Sequence, residues 1–294
     1  MLRGINKKYI KRINKKHINE GLFFILPSLL GLTIFIFIPF ADVIIRSFQD
    51  EVTRKFILLD NYITIFTNES FKLAILNTGK FIIICIPLLL VISLCISILL
   101  YRFVNKKISK YIKTSFLLTY VIPTTSIALI WKILFHKKGL INAIISYIGF
   151  EGPDWMNTKN AFTVLVISYL WKNIGYSIIL WLGGINSINK EMLEAAMVDG
   201  ATEWELFTKI ILPNLKISFY IITIISIINS FKVFREAYLV AGNYPYESIY
   251  MIQNLFNNWF IDLSFGKIAA GSVILSLLVT GLIFLLQKLW KSEY

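Results

Sequence analysis

The sequence predicts an all-α integral membrane protein with about six transmembrane helices. Three observations predict it. Of 294 residues, 56% are hydrophobic and only 16% are charged, whereas soluble domains carry roughly 45–50% apolar and about 25% charged residues. The apolar residues fall in long runs, each near the ~20 residues that cross a bilayer core of about 30 Å. Those runs show no sustained period-two alternation, and an open sheet edge cannot face lipid.

The runs make up one transmembrane domain, 22–287, between a basic tail, 1–21, and a short tail, 288–294. The first span, 22–41, is uncharged. It is longer than the apolar core of a signal peptide and no small-residue cleavage pattern follows, so it is expected to be retained. The second span, 81–101, and the sixth, 268–287, are also uncharged. The third, 114–131, is uncharged and slightly short. The fourth, 161–184, carries one charge, Lys172. The fifth, 210–231, joins a short run from Ile217 to Ile210–Leu212 across a turn at Pro213.

Lysine and arginine set the orientation, because they collect in short cytoplasmic loops. Residues 1–20 hold seven: Arg3, Lys7, Lys8, Lys11, Arg12, Lys15 and Lys16. The connection 102–113 holds five, and the last tail holds Lys288 and Lys291. With six spans these segments share one side, so both termini are expected in the cytoplasm. The loops 48–80, 132–160 and 232–267 then face outward. Within 132–160, the apolar stretch Gly139–Ile148 is too short to cross. It reads as a helix at the outer interface, with Trp155 at headgroup depth. The tail 1–21 reads as a solvated segment that fixes orientation. The formal net charge of +13 follows from this topology. No basic stripe lies on a polar domain, which argues against nucleic-acid binding.

Little here suits covalent chemistry. Cys85 and Cys95 lie ten residues apart in one run, about 15 Å along a helix, beyond the ~7 Å a disulfide spans. His17 and His136 have no second ligand nearby in sequence, so no metal site is expected. A polytopic membrane enzyme needs an acid, base or metal cluster at one face, and the sequence offers none. There is no G-x-x-x-x-G-K-[ST] loop, the signature of a phosphate-cradling turn. No catalytic residue is assigned, and the chain is not expected to be an enzyme.

The internal loop 185–216 resists the charge trend: Lys190, Lys209 and Lys216 stand against Glu191, Glu194, Asp199, Glu203 and Glu205. Acidic residues weigh little in orientation, so the topology stands. Its segment 189–213 is patterned as two short helices. Asn189 suits an N-cap, with Glu191 and Glu194 near the positive helix end. Gly200 suits a left-handed turn. Thr202 and Glu205 form a T-x-x-E capping box. Pro213 lacks an N–H and is expected to kink the path into the fifth span. The result is a helix–turn–helix on the cytoplasmic face, with Ala195, Ala196 and Met197 as a small apolar surface.

The same residues carry a family resemblance. Glu194-Ala195-Ala196, three residues, Gly200, nine residues, then Ile210-x-Leu212-Pro213 resembles the EAA loop of permeases in binding-protein-dependent ABC importers. The spacing matches without departure. Leu26-Pro27, Gly31, Pro39 and Arg46-Ser47-Phe48 resemble the first helix of the carbohydrate subfamily, and Asn77-Thr78 the opening of the second. Ile122-Pro123 and Trp131 resemble the third, and Gly139-Leu140-Ile141-Asn142 the outer-loop helix. Ser230–Phe234, Tyr238-Leu239, Gly242 and Phe265–Ala270 resemble the later segments, closest to the maltose, lactose and glycerol-phosphate uptake type. The resemblance implies a multi-pass protein of the bacterial cytoplasmic membrane, one half of a pathway for a sugar or oligosaccharide. It implies as partners a second similar permease, two separate ATPase subunits that bind the ATP and Mg, an extracytoplasmic solute-binding protein and membrane lipid. No cofactor of its own is implied. It makes Glu194, Ala195, Ala196, Gly200, Ile210, Leu212 and Pro213 the coupling loop, seated on an ATPase subunit. Because this loop is shared across substrate classes, a permease for a non-sugar solute is the alternative.

For a substrate pathway the residues offer several candidates. Lys172 lies mid-span, where a charge marks a water-filled path or a partner unless it snorkels to the interface. Sugars bind to rings and amides, which cover C–H faces and satisfy hydroxyls. Trp171, Asn173, Tyr176 and Trp181 supply those groups around Lys172, and Asn229 and Tyr238 add to them from the fifth span and its exit. With 23 Phe, 14 Tyr and 7 Trp, most aromatic residues serve packing or the lipid interface.

Overall fold

The computed structural model describes residues 23–102 and 106–291. The basic tail 1–21 and the end of the 288–294 tail lie outside the described residues. Among those described, regular structure is helical throughout, apart from an isolated bridge between Gln49 and Phe56. The helices are α1 Phe23–Ser47, α2 Asp60–Thr67, α3 Glu69–Arg102, α4 Lys106–Val121, α5 Thr124–Leu134 and α6 Leu140–Tyr147. Then come α7 Ala161–Asn186 and α8 Lys190–Val198. Next, α9 runs from Glu203–Glu205 through a π-helical Leu206–Ile211 to Leu212–Asn214. Last are α10 Lys216–Ser230, α11 Phe234–Ala241, α12 Ile252–Ile261 and α13 Phe265–Lys291. Among the described residues, five helices are long and apolar enough to cross a membrane, or six if the bent pair α4 and α5 is one span.

That pair corrects the third span expected at 114–131. The helix breaks at Ile122-Pro123 and changes direction by 96°. A residue before proline is pushed out of the helical region, and Pro123 itself is extended at ψ 139°. Other bounds shift outward. α3 starts at Glu69, well before its apolar run, and α4 starts at Lys106, inside the stretch read as a basic connection. The loop 232–267 holds α11 and α12.

The chain is described as two compact units. One is Met1–Thr67 with Leu263–Val279. In it Asn61 Nδ2 donates to the carbonyls of Ser47 and Gln49, each at 3.0 Å, and Phe48 stacks on Phe56. Gly266 lies so close that a Cβ there would sit 2.9 Å from the Asn61 side chain.

The other unit, Asn68–Asp262 with Thr280–Tyr294, holds the candidate sites. Its main contact is α3 along α7. Phe81, Cys85 and Leu89 of α3 pack with Leu165 and Tyr169 of α7 and with Ile249 and Met251. A second cluster joins Ile86 and Leu90 to Trp181, Ile185, Ile211 and Leu215. Lipid tails are as apolar as leucine, so close packing and interhelical hydrogen bonds hold such a bundle. Gly175 is one such close approach, where a Cβ would meet the Phe116 carbonyl oxygen of α4 at 2.1 Å. At the far end of α3, Asn77 Nδ2 donates to the carbonyls of Glu247 (2.6 Å) and Tyr250 (3.0 Å), and Thr78 Oγ1 accepts from Ile252 N at 3.1 Å.

Candidate functional site

The segment between α7 and α10 is built from caps. Asn189 Oδ1 accepts from Glu191 N at 2.9 Å and starts α8. α8 ends on Gly200 at φ +83°. There Gly200 N donates to Met197 O at 3.1 Å and Ala201 N to Ala196 O at 3.0 Å. This paired 5→2 and 6→1 closure satisfies the last carbonyls of the helix. No neighbour lies within 4 Å of a Cβ at Gly200, so backbone conformation alone asks for glycine. Thr202 then caps α9 reciprocally: Glu205 N donates to Thr202 Oγ1 at 3.3 Å and Thr202 N to Glu205 Oε2 at 3.0 Å. Lys209 Nζ bonds Glu205 Oε1 at 2.8 Å. The Lys209 hydrogen bond first, then those from Thr202, lower the Glu205 carboxyl to a pKa of about 2.

Three contacts tie this segment to the helices. Leu193 and Phe207 pack against the cluster of Ile211 and Leu215, and Glu203 pairs with Arg102 at the end of α3. The opposite surface is open. Glu194 and Ala195 are exposed and Ala196 is half-buried. Met197 is 54%, Trp204 71% and Val198 87% exposed. Ile210 is half-buried, and Leu212 and Pro213 are exposed. Pro213 sits in the first turn of Leu212–Asn214 behind the π-helical stretch, and the path into α10 breaks at Leu215 (φ −85°, ψ 4°). The kink expected at Pro213 falls two residues later, and the proline, which has no N–H to donate, follows directly on the π-helical stretch.

The expected pathway residues divide into four groups. Lys172 Nζ donates to Thr124 Oγ1 at 2.7 Å, at the first residue after the α4–α5 break. Asn173, Tyr176 and Asn229 come together along a narrow crevice with Ser177 and Ser226. Asn173 Nδ2 donates to Tyr169 O at 2.9 Å. Asn229 Nδ2 donates to Asn173 Oδ1 at 3.2 Å, and Lys232 Nζ to Asn229 Oδ1 at 3.3 Å. Tyr176 stacks on Tyr120 with centroids 5.4 Å apart. Trp181 is the correction: it is 1% exposed and donates its indole N–H to Ser93 Oγ at 2.9 Å. A fully buried ring held this way packs helices and has no face for a sugar.

Tyr238 lies elsewhere, in a cleft of ≈ 820 Å³ formed by the end of α5, the 154–157 turn and the 241–246 segment. Sequence reasoning missed this cleft. Its signal was the basic run His136-Lys137-Lys138 together with Tyr244 and Tyr246. Trp155 lies between two residues of that lining, Asp154 and Met156. It donates to Asn142 Oδ1 at 2.7 Å and packs edge-on to Phe135. Asn142 in turn donates to the carbonyls of Lys137 (2.9 Å) and Pro153 (3.0 Å), which locks one wall of the cleft.

Residues 93–291 match the family model described as "Binding-protein-dependent transport system inner membrane component". The chain is 30% identical over 274 residues to a probable starch degradation products transport system permease protein of Thermoanaerobacterium thermosulfurigenes, covering 90% of this chain and 93% of that one. It is 28% identical over 260 residues to a trehalose/maltose transport system permease protein of Thermococcus litoralis, covering 86% of each. Its fold matches a chain of a bacterial ABC transporter involved in alginate import with a TM-score of 0.81 at 22% identity, over 96% of this chain and 99% of that chain.

Proposed function

The chain belongs to the binding-protein-dependent transport system inner membrane components, a family of multi-pass membrane proteins, and we propose that it forms half of the translocation pathway of an ATP-driven sugar or oligosaccharide importer. Both termini face the cytoplasm, a second permease completes the pathway, and an external solute-binding protein delivers the sugar. ATP and Mg are held by two separate ATPase subunits, so this chain is a transport subunit and not an enzyme. The sugars in the names of the two relatives, starch degradation products and trehalose or maltose, support the sugar class.

One observation carries the coupling role: the 189–214 segment is rigidly capped and anchored on one side yet exposes an apolar surface on the other. Monomeric water-facing surfaces rarely group such residues without a partner. Ala195 and Ala196 let a groove of an ATPase subunit approach closely, and Met197, Val198 and Trp204 supply apolar contact. Closure of the ATPases moves this segment and turns the pathway outward. Tyr176 and Asn229 are the polar groups that meet sugar hydroxyls, buried Asn173 holds Asn229 in place, and Lys172 borders them at the α4–α5 break. The test has two parts. The chain is used as bait in mild detergent, and the recovered assembly is reconstituted in liposomes with its binding protein and maltotriose. Recovery of an ATPase with ATP-dependent uptake supports the reading. Recovery of the chain alone, with ATP hydrolysis trapped, overturns it.

A further inference from the structure

The cleft at the end of α5 has a composition that the importer reading does not use. Lys132, Lys137 and Lys138 line it, all exposed; the charge of Lys137 acts on the Asp154 carboxyl, and among the described residues no ion pair is found for Lys132 or Lys138. The one acid in the lining, Asp154, is already committed. Its Oδ1 accepts from Met156 N (3.2 Å) and Asn157 N (3.1 Å), and its Oδ2 from Asn157 Nδ2 (3.1 Å). His136 Nδ1 accepts from Lys138 N at 3.2 Å, which leaves Nε2 to carry the proton of the neutral ring and act as a donor. The remaining lining therefore offers donors and positive charge. Tyr238, Tyr244 and Tyr246 supply ring faces on the same cleft. Its volume of ≈ 820 Å³ lies within the roughly 300–1,000 Å³ range of small-molecule sites.

We infer that this cleft binds a saccharide bearing an anionic group, such as a uronate, with the lysines holding the acid and the tyrosines covering the sugar faces. The inference rests on the importer reading and narrows its substrate class. Gly242, at φ +75°, turns the chain so that Tyr244 and Tyr246 reach the cleft, and the Asn142–Trp155 bond fixes the opposite wall.

The test uses the full chain co-expressed with its partner subunits in lipid nanodiscs. Two probes of equal length are titrated by calorimetry: trigalacturonate and maltotriose. Trigalacturonate is expected to bind at least 10-fold more tightly at low salt, with the difference shrinking as salt screens the lysines. The triple variant K132Q/K137Q/K138Q is expected to lose at least 10-fold for trigalacturonate and little for maltotriose. Y244A is expected to weaken trigalacturonate with its salt dependence intact. Equal affinity for the two probes, or a triple variant that still binds trigalacturonate as well as the parent, overturns the inference. A triple variant that loses only the stimulation of ATP hydrolysis by the binding protein also overturns it, and assigns the cleft to an acidic protein surface. ATP-driven maltotriose uptake with no trigalacturonate binding defeats the cleft inference and leaves the importer reading standing. Trigalacturonate binding with no uptake of either sugar does the reverse.

Discussion

The indole N–H of Trp181 reaches across from α7 to the hydroxyl of Ser93 on α3, 2.9 Å away. Ser93 itself bonds back to Leu89 O at 2.5 Å, and one turn further on Ser97 Oγ donates to Ile178 O at 3.2 Å. Two serines thus let α3 and α7 approach closely, and Ser93 satisfies the only polar atom of a buried ring. Trp181→Ala is expected to lower stability by about 3–5 kcal/mol through cavity formation. Ser93→Ala is expected to cost about 0.6 kcal/mol, the typical worth of an interhelical hydrogen bond in a membrane. Thermal unfolding in detergent reads both. Neither is expected to change the affinity for sugar, and a changed affinity would return Trp181 to the pathway.

Gly200 separates conformation from space. With no neighbour within 4 Å of its missing Cβ, a larger side chain fits, but the left-handed backbone costs about 1–2 kcal/mol for a non-glycine residue. Gly200→Val is expected to abolish uptake while insertion into the membrane is retained. Gly200→Asn, which tolerates this conformation, is expected to keep most of it. Equal uptake by the valine variant and the parent would remove the turn from the coupling role.

Glu194 stands on the exposed surface of α8, away from the anchors Leu193 and Phe207. Glu194→Lys is expected to reduce co-purification of the ATPase several-fold without altering thermal stability. Unchanged recovery would place the contact elsewhere on the loop.

Lys172 donates to Thr124 at the α4–α5 break. Lys172→Leu is expected to raise the KM of uptake several-fold, and Thr124→Ala to have a smaller effect because the charge remains. Uptake kinetics on proteoliposomes distinguish the two. Unaltered kinetics in the leucine variant would assign Lys172 to the interface.

Glu205 titrates well below its ordinary carboxyl value of 4.5, at about 2. A depressed folded-state pKa stabilises the fold above the unfolded value, and that contribution is lost as pH falls through the folded value. The α9 cap is therefore expected to hold fully above about pH 4.5 and to weaken between there and about 2. The emission of Trp204 during acid titration follows the α9 turn. Glu205→Gln is expected to remove the Glu205 step from that profile, and an identical profile in the variant would break the assignment.

The long helices were legible because length and apolar content are local properties. So were the caps of the 189–205 segment, since each rests on residues two to five apart. What the sequence left open is which way a side chain faces. Trp181 and Tyr176 lie on one run with similar neighbours, yet one is sealed against α3 and the other borders a crevice. The proline steps make the same point. Ile38-Pro39, Ile86-Pro87 and Ile122-Pro123 are the same dipeptide. The first follows a π-helical turn, the second lies inside an unbroken helix, and the third turns the chain by 96°. Backbone chemistry permits all three outcomes, and tertiary packing chooses among them. The cleft around Tyr238 was hidden for a related reason, because its walls come from segments more than eighty residues apart in the chain.

The helix α3 is fastened at both ends. Asn77 and Thr78 clamp the 247–252 segment at one end, and Arg102 grips Glu203 at the other. The clamps are separated by about 36 Å of continuous helix at 1.5 Å per residue. Mechanically this is a pushrod. Under the proposed coupling role, displacement of the head of α9 would arrive at the opposite end as translation of one body, without a relay of side chains changing rotamer one after another. Pro87 is the weak point of the rod, because its ring removes one bond from the helix ladder. A load carried along α3 concentrates its bending there.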